Sequence, residues 1–466
     1  MSNFKTKELS KIGYTDDVAR SLAITTLAKY YKHSSKAECL ALLTNLKNNP
    51  EAYVNDEQLG RLAAAFITTE KETGVRSFDL LQHTGPLKLY GSKQIEASAK
   101  RQMELAMSLP VTLQGALMPD AHTGYGLPIG GVLATQQAVV PYAVGVDIGC
   151  RMALSIIDEG ERYLETHTWH MKKALGDHTH FGMEGGLDRP QEHEVLDHPD
   201  FRATTLLRKL QPKAVRQLGT SGGGNHFVEF GLVELREDNV FGLPARKYTG
   251  LLTHSGSRGL GANIAQHYTA IAMDTCKLPR NAQQLAWLDM NSEAGREYWL
   301  SMNLAGAYAQ ACHDRIHLNL LRALGLQSIA KIENHHNFAW LDTLPDGREV
   351  VLHRKGATPA HKGETGIIPG SMTTPAYIVC GKGEPGSLYS ASHGAGRAMS
   401  RKRARESMTV SGLKKMLAAA GVSLLGGSVE EFPGAYKDIE KVIAAQQDLV
   451  DVQGKFWPKV VRMYKE

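Results

Sequence analysis

The sequence predicts an α+β protein that begins with a small all-α module. Residues 1–85 are poor in glycine and contain short amphipathic helical patterns. From residue 86 onward, short apolar segments of strand type alternate with glycine-rich loops. Longer helical patterns cover residues 95–109 and 292–324 of this second part. We therefore predict an accessory helical module over residues 1–85 and a main domain over residues 86–466.

The N-terminal module is predicted from helix start and stop signals. Ser35 and Glu38 form a capping-box pattern ahead of a run of leucines at 40, 43 and 46. Asn49-Pro50 ends that helix, and Asp56 can begin another. No motif of catalytic or ligand-binding type occurs here. The alternative to a separate module is a helical lead-in packed on the main domain.

Composition describes an ordinary soluble globular protein. Of the 466 residues, 42% are hydrophobic and 22% are charged. A formal net charge of +5 is compatible with an anionic partner without requiring one. The 5 cysteines are widely scattered, which favours a reducing compartment over a disulfide framework. With neither a signal-peptide pattern nor a long apolar run, we expect a cytoplasmic protein without a membrane partner.

The first chemical motif is Gly145–Arg151, where Asp147 and Cys150 stand three residues apart among glycines. Arg151 should favour the thiolate, which is the form of cysteine that binds metal. The apolar residues 138–144 read as a buried strand leading into this loop. A core cysteine beside a turn carboxylate is the alternative interpretation.

Two further segments of the first half contain histidine. Asp120 and His122 alternate in an extended or turn segment, so both side chains could face one cleft. A polar loop with an Asx-turn is the alternative there. Residues 158–200 are polar and rich in histidine, and we expect a surface insertion.

Histidine next to small residues recurs later in the chain. The glycines before Asn225 and His226 leave backbone N–H groups free to face a phosphate, and Glu229 follows. His254 follows an apolar segment and precedes a loop holding Arg258, and His336 lies in a His-His-Asn triplet. His313 and His317 lie four residues apart on the long predicted helix, where a packing role is favoured over metal binding.

Thiolate, imidazole and carboxylate ligands together suit a divalent transition metal. The candidate ligands exceed one tetrahedral site, so two metals sharing the thiolate are plausible. His393 is separate from this set, in a Ser-His-Gly setting that opens a basic helical segment and favours an anion. It is a candidate nucleophile for the α-phosphorus of a nucleotide. The candidate metal ligands are Asp147, Cys150, His226, His254 and His336.

These motifs resemble those of the RtcB RNA-splicing ligases, over about residue 86 to the end. The resemblance is carried by GVDIGCR (145–151), GGGNHFVE (222–229), HSGSRG (254–259), HHN (335–337), PGSM (369–372) and SHGAGRAMSR (392–401). It implies a catalytic fold of mixed sheets with flanking helices. It also implies an enzyme that uses GTP and Mn²⁺ to join RNA 3′-phosphate or 2′,3′-cyclic phosphate ends to 5′-hydroxyl ends.

The resemblance further implies a role for each matched residue. Cys150 would bridge two Mn²⁺ ions, with Asp147 and His226 on one side and His254 and His336 on the other. His393 would become guanylylated. The implied nucleotide-binding residues are Asn225, Phe227, Glu229, Pro369, Gly370, Ser371, Met372, Ala395, Gly396, Tyr436 and Lys465. The implied RNA- or phosphate-binding residues are Arg258, Asn337, Arg397 and Arg401, and Asp120 belongs to an early family loop.

The chain departs from the family pattern at two places. The family turn Gly-Ser-Met-Gly-Thr-Ala-Ser reads Gly-Ser-Met-Thr-Thr-Pro-Ala over residues 370–376, and the usual final Lys-Gly is Lys465-Glu466. Two other functions are considered beside ligation. One is a metal-dependent RNA-end phosphodiesterase or phosphatase that has lost ligation. The other is a non-catalytic RNA-end-binding protein, which the complete set of ligands disfavours.

Overall fold

The computed structural model describes residues 6–14, 17–32, 34–54, 56–66, 75–182 and 185–465. The chain divides into two compact units, Met1–Gly74 and Val75–Glu466. Strand Arg76–Ser77 pairs in parallel with Cys276–Lys277, so these residues hydrogen-bond within the second unit. The boundary predicted between residues 85 and 86 lies inside that unit.

The described part of the first unit is helical. The capping box of Ser35 and Glu38 is present, and the helix that it begins ends at Asn48, before Pro50. Asp56 accepts hydrogen bonds from the backbone N–H groups of residues 58 and 59, just ahead of the next helix. The buried core contains Leu43, Leu46 and Leu62. The helices are α1 (Thr6–Lys11), α2 (Asp17–Tyr30), α3 (Lys36–Asn48) and α4 (Gly60–Ala64).

The second unit combines several sheets with helices, which confirms the predicted α+β architecture. Its helices are α5 (Ala97–Met107), α6 (Pro141–Val144), α7 (Glu161–His178), α8 (Thr205–Gln217), α9 (Arg258–Thr275), α10 (Glu293–Leu324), α11 (Arg401–Ser407), α12 (Val410–Ala419) and α13 (Ile439–Ala444). Its strands are β1 (Arg76–Ser77), β2 (Leu87–Leu89), β3 (Thr112–His122), β4 (Ile129–Thr135), β5 (Ala138–Val139), β6 (Arg151–Ile157), β7 (Phe227–Leu235), β8 (Lys247–Ser255), β9 (Cys276–Lys277), β10 (Leu288–Asp289), β11 (Ser328–His335), β12 (Asn337–Thr343), β13 (Glu349–Lys355), β14 (Ala357–Pro359), β15 (Thr365–Ile368), β16 (Ala376–Gly381), β17 (Ser390–Ser392), β18 (Ser423–Leu425) and β19 (Val450–Met463).

The central sheet has the strand order β11-β6-β8-β7-β19-β16-β15, with β18 paired to β19. Its two edge strands, β11 and β15, approach each other. The side-chain amide of Asn334 on β11 donates a hydrogen bond to the carbonyl of Ile367 on β15 and accepts one from the backbone N–H of Ile367. One face of this sheet packs against α7 and α10. On the other face, apolar side chains from several strands of the sheet pack against one another. A second sheet has the order β12-β13-β4-β3-β2. His336 is the single residue between β11 of the first sheet and β12 of the second.

Three local expectations are corrected by the structure. Residues 138–144 form only a two-residue strand before Pro141 begins the helical turn α6. The histidine-rich segment is not purely a surface insertion, because α7 buries Leu164, Met171 and Leu175 against the central sheet. The basic helix after His393 does not begin beside it. Ser400 caps that helix, which runs from Arg401. In the described ranges, no helix is long and apolar enough to cross a membrane.

Candidate active site

The central sheet brings the predicted metal ligands together at one end. Cys150 immediately precedes β6, His226 immediately precedes β7, and His254 is the penultimate residue of β8. His336 directly follows β11. Because β11, β6, β8 and β7 are neighbours and run antiparallel, their alternate ends meet at the same edge. Four ligands separated by up to 186 positions, from Cys150 to His336, thereby converge.

Potential metal-binding atoms form two overlapping groups that share Cys150, one with His254 and His336 and one with Asp147 and His226. The Sγ atom of Cys150 lies 3.3 Å from Nε2 of His254 and 3.5 Å from Nε2 of His226. In the first group, Nε2 of His254 lies 3.3 Å from Nε2 of His336. In the second, Nε2 of His226 lies 3.0 Å from Oδ2 of Asp147.

His254 and His336 of this cluster are in the neutral form that binding a metal cation requires. Nδ1 of His254 donates to the carbonyl of Asn225 at 3.0 Å, which leaves a lone pair on Nε2. Burial lowers the pKa of His254 to about 3 and that of His336 well below its usual value, so both imidazoles are neutral, which is the form that can bind a metal. The donor set of thiol, imidazole and carboxylate fits a divalent transition metal.

Arg151 affects Cys150 less than the sequence suggested. Burial raises the pKa of the Cys150 thiol well above its usual value, and the Asp147 carboxylate raises it further. Arg151 lowers that pKa by a smaller amount, and its guanidinium is paired with Glu333 at 3.0 Å. A bound dication would be needed to favour the thiolate here.

His393 lies beside this cluster, with its ring centroid 5.0 Å from that of His336. Its Nδ1 is 2.6 Å from Oδ2 of Asp120, which is fully buried. The same oxygen accepts from the backbone N–H groups of His393 at 3.2 Å and Gly394 at 3.4 Å. Burial raises the pKa of Asp120, but His393 and Lys437 lower it more, so the carboxyl is ionised. In the neutral imidazole, this contact favours the tautomer in which Nδ1 carries the hydrogen and donates to Asp120, with the lone pair on Nε2.

The cluster and His393 line one cavity of about 930 Å³. Lys465 is not among the residues that line it and is exposed. Burial raises the pKa of Glu229 to about 8, so its carboxyl is protonated at neutral pH. The hydroxyl of Tyr436 donates to Glu431. The predicted nucleotide-binding residues that line the cavity are Asn225, Phe227, Glu229, Pro369, Gly370, Ser371, Met372, Ala395, Gly396 and Tyr436.

The predicted phosphate-binding residues fall into two groups. Arg397 and Arg401 line the cavity, and Nη1 of Arg397 is held 2.9 Å from Glu431. Asn337 also lines it, while its amide bonds the Asp147 carbonyl at 3.3 Å. Arg258 is buried outside the cavity lining, where it donates to Thr220 and to the carbonyl of residue 182.

Sequence reasoning missed several residues of this cavity. Glu431, which contacts both Arg397 and Tyr436, lies in a short acidic segment that carried no signal. Lys355 also lines the cavity and donates to the carbonyl of Tyr142 at 2.9 Å, and burial lowers its pKa to about 7. Its place in a basic, glycine-terminated turn was the available signal.

Comparison with known proteins finds the same family in a family model and in individual relatives. A family model described as tRNA-splicing ligase RtcB matches residues 102–203 and 160–463. The RNA-splicing ligase RtcB of Escherichia coli (strain K12) is 32% identical over 412 residues, covering 80% of this chain and 96% of that protein. The tRNA-splicing ligase RtcB of Nanoarchaeum equitans is 29% identical over 448 residues, covering 78% of this chain and 92% of that protein. The Mycobacterium tuberculosis RNA-splicing ligase RtcB is 30% identical over 395 residues, covering 70% and 91%.

Proposed function

The chain belongs to the RtcB family of RNA-splicing ligases, and on that premise we propose that it is an RNA ligase acting in RNA repair or tRNA splicing. It joins RNA 3′-phosphate or 2′,3′-cyclic phosphate ends to 5′-hydroxyl ends, with GTP and two Mn²⁺ ions as cofactors. The observation that carries this proposal is the position of His393. Its ring lies beside the cluster of metal-binding side chains, and its Nδ1 is bonded to a buried carboxylate.

His393 acts as the nucleophile toward GTP. Because Nδ1 donates to Asp120, the lone pair of Nε2 attacks the α-phosphorus. A nitrogen–phosphorus bond forms as the bond from that phosphorus to the bridging oxygen breaks, and pyrophosphate leaves with the electron pair. Positive charge develops on the ring in this step, and the Asp120 carboxylate stabilises it.

His393 then passes GMP to the RNA. An oxygen of the RNA 3′-phosphate attacks the same phosphorus, the nitrogen–phosphorus bond breaks, and Nε2 regains its lone pair. The 5′-hydroxyl next attacks the activated 3′-phosphate, its proton passes to solvent water, and GMP leaves with the electron pair of the broken phosphorus–oxygen bond. A 2′,3′-cyclic phosphate is first opened by water. Divalent ions held by the two groups that share Cys150 would neutralise phosphate charge and make water more acidic.

The metal ions are proposed to be held by the two groups that share Cys150. Asp147 and His226 hold one ion, and His254 and His336 hold the other, as supported by their separations. The residue types fit a divalent transition metal, and the choice of Mn²⁺ rests on the family resemblance.

The nucleotide and RNA are proposed to bind along the cavity wall beyond His393. Glu229 faces the guanine base, and a role for Lys465, which is exposed outside the cavity lining, rests on the family resemblance alone. Arg397 and Arg401 face phosphate groups, and the side chain of Arg401 is more exposed, at 53%, than that of Arg397, at 17%. Arg258 contributes by holding the loops beside the cavity, which is the role that its hydrogen bonds support.

We propose that the predicted accessory all-α module corresponds to the first unit, Met1–Gly74, and that the protein acts in the cytoplasm. The helices of the first unit support the former. The 5 free cysteines support a reducing compartment.

The test is transfer of label from α-labelled GTP in the presence of Mn²⁺. Acid-labile label should appear on the wild-type protein and on His361→Ala, which replaces a half-exposed histidine outside the cavity lining. It should be missing from His393→Ala. Persistent label on that variant would place the nucleophile elsewhere. A wild-type protein that hydrolyses cyclic phosphate ends but takes no label would support the phosphodiesterase function instead.

A further inference from the structure

A chain of buried polar groups lies behind the candidate metal site, between strands β6 and β8 of the central sheet and helix α10. It consists of the side chains of Ser155, His317, Thr253 and His313 and the carbonyl of Ser255, and we refer to it as the β8–α10 chain. Both imidazoles are almost fully buried, as are the two hydroxyl groups. Thr253 and Ser255 are the two sequence neighbours of His254, a candidate metal ligand.

All four ring nitrogens of this chain have hydrogen-bond partners. Nε2 of His313 lies 3.1 Å from the Ser255 carbonyl, and its Nδ1 lies 2.6 Å from the Thr253 hydroxyl. Nε2 of His317 lies 2.8 Å from the same hydroxyl, and its Nδ1 lies 2.8 Å from the Ser155 hydroxyl. Burying an imidazole without such partners would cost free energy. Apolar side chains would be sufficient if these positions served helix packing alone.

These contacts allow one direction for each hydrogen bond. A carbonyl only accepts, so Nε2 of His313 carries the hydrogen and donates to Ser255. A neutral imidazole has one N–H, so Nδ1 of His313 accepts from the Thr253 hydroxyl. That hydroxyl has then used its hydrogen, so it accepts from Nε2 of His317. Nδ1 of His317 finally accepts from Ser155.

Burial supports the neutral form that this assignment needs. It lowers the pKa of His317 to about 3 and that of His313 well below its usual value. A second acceptor for the Thr253 hydroxyl, the carbonyl of Ala153, is farther away at 3.4 Å. The bond to His313, at 2.6 Å, is therefore the stronger one.

The chain holds the strand on both sides of His254. The Thr253 hydroxyl and the Ser255 carbonyl are hydrogen-bonded to His313 of α10. The ring of His254 is hydrogen-bonded to the carbonyl of Asn225, on the cavity side. The backbone and the ring of this ligand are therefore fixed from opposite directions. Partners of this kind orient metal ligands and affect metal affinity.

We propose that His313 and His317 are positioning residues of the metal site, acting through Thr253 and Ser255 to fix the place of His254. This inference rests on the proposed metal site. It assigns a specific function to two histidines for which the sequence favoured helix packing.

The test uses matched threonine variants on β8. Thr253→Val removes the shared hydroxyl and leaves Nδ1 of His313 unpaired. Thr249→Val is the control, because Thr249 is also fully buried on β8, four residues away, and its hydroxyl makes only a 3.4 Å bond to the carbonyl of residue 160. Mn²⁺ affinity should fall by about 10-fold or more in Thr253→Val. It should be unchanged in Thr249→Val and restored in Thr253→Ser.

A double-mutant cycle connects the effect to the histidines. His317→Leu should also weaken Mn²⁺ binding, and combining it with Thr253→Val should add little, because both act through one hydrogen bond. In the metal-free wild-type protein, ¹⁵N NMR of labelled histidine should show hydrogen on Nε2 of both His313 and His317. Thermal unfolding of each variant separates lost affinity from lost stability.

Three results would overturn the positioning role. They are wild-type Mn²⁺ affinity in Thr253→Val, an equal loss in Thr249→Val, or hydrogen on Nδ1 of either histidine. A wild-type protein that binds no Mn²⁺ would overturn the metal site as well. That outcome is recognised by the wild-type titration alone, before any variant is compared.

Discussion

The pairing of Asp120 with His393 makes a quantitative prediction for Asp120→Asn. The substitution keeps the size of a fully buried side chain but removes its charge. One carboxylate oxygen accepts three N–H groups, the closest being Nδ1 of His393 at 2.6 Å. A hydrogen bond to a charged group contributes about 1.5–3 kcal/mol. If that contribution is lost as charge develops on the ring, the rate of guanylylation falls about 10- to 150-fold.

A further loss is expected if the asparagine turns its NH₂ group toward His393. Nδ1 would then accept, Nε2 would carry the hydrogen, and the nucleophilic lone pair would be removed. The assay is single-turnover labelling of the protein by α-labelled GTP, with bound Mn²⁺ and thermal unfolding measured on the same samples. Asp342→Asn is the control, because that carboxylate is partly buried on β12 outside the cavity lining. Labelling of Asp120→Asn at the wild-type rate would refute the reasoning.

Three further predictions concern the metal and the nucleotide. Cys150→Ser should lose most bound Mn²⁺ by elemental analysis while its thermal transition moves little, and retained metal would show that the thiol is not a ligand. Glu229 has a pKa of about 8 in the folded chain against an ordinary 4.5, so its stabilising effect is complete below about pH 4.5 and is lost as the pH rises through 8. From pH 5 to pH 9 the wild type should therefore lose more unfolding free energy than Glu229→Gln, and parallel curves in denaturant titrations would exclude the raised pKa. Excess unlabelled ATP should compete poorly with GTP for labelling of His393, because a site that hydrogen-bonds guanine leaves its polar groups unpaired with adenine. Equal competition by ATP and GTP would show that the base preference has been lost.

The metal cluster could be predicted from the sequence because its signals are local. Each candidate ligand stands beside an apolar segment and within two residues of glycine, serine or another histidine, and strand ends in one sheet meet at the same end. The ends of the long helix could also be predicted. Ser292 caps α10 through the N–H of Gly295, and α10 stops at Gly325, which adopts a positive φ of 67°.

The partners of these residues could not be predicted, because they come from distant parts of the chain. Asp120 and His393 are 273 positions apart, and the periodicity around Asp120 showed only that it could face a cleft. The effect of Arg151 on Cys150 was overestimated because the sequence does not show that Glu333 neutralises the guanidinium. The hydrogen-bond partners of His313 and His317 could not be predicted either. Their spacing shows that they share one face of a helix, but it does not show that the hydroxyl groups of Thr253 and Ser155 contact that face.

His336 connects the part of the site on the central sheet with the part on the second sheet. The candidate metal ligands other than His336 belong to the central sheet and its loops, whereas Asp120 belongs to the second sheet. The backbone N–H of His336 donates to the Cys150 carbonyl at 3.0 Å, and its carbonyl accepts from the N–H of Gly356 at 2.7 Å. Gly356 directly follows β13 of the second sheet and precedes β14, which pairs with the strand leading to His393. Backbone hydrogen bonds thus connect the segment that carries the candidate nucleophile with the candidate metal ligands, and under the proposed function a site fixed in this way would need little rearrangement as charge develops.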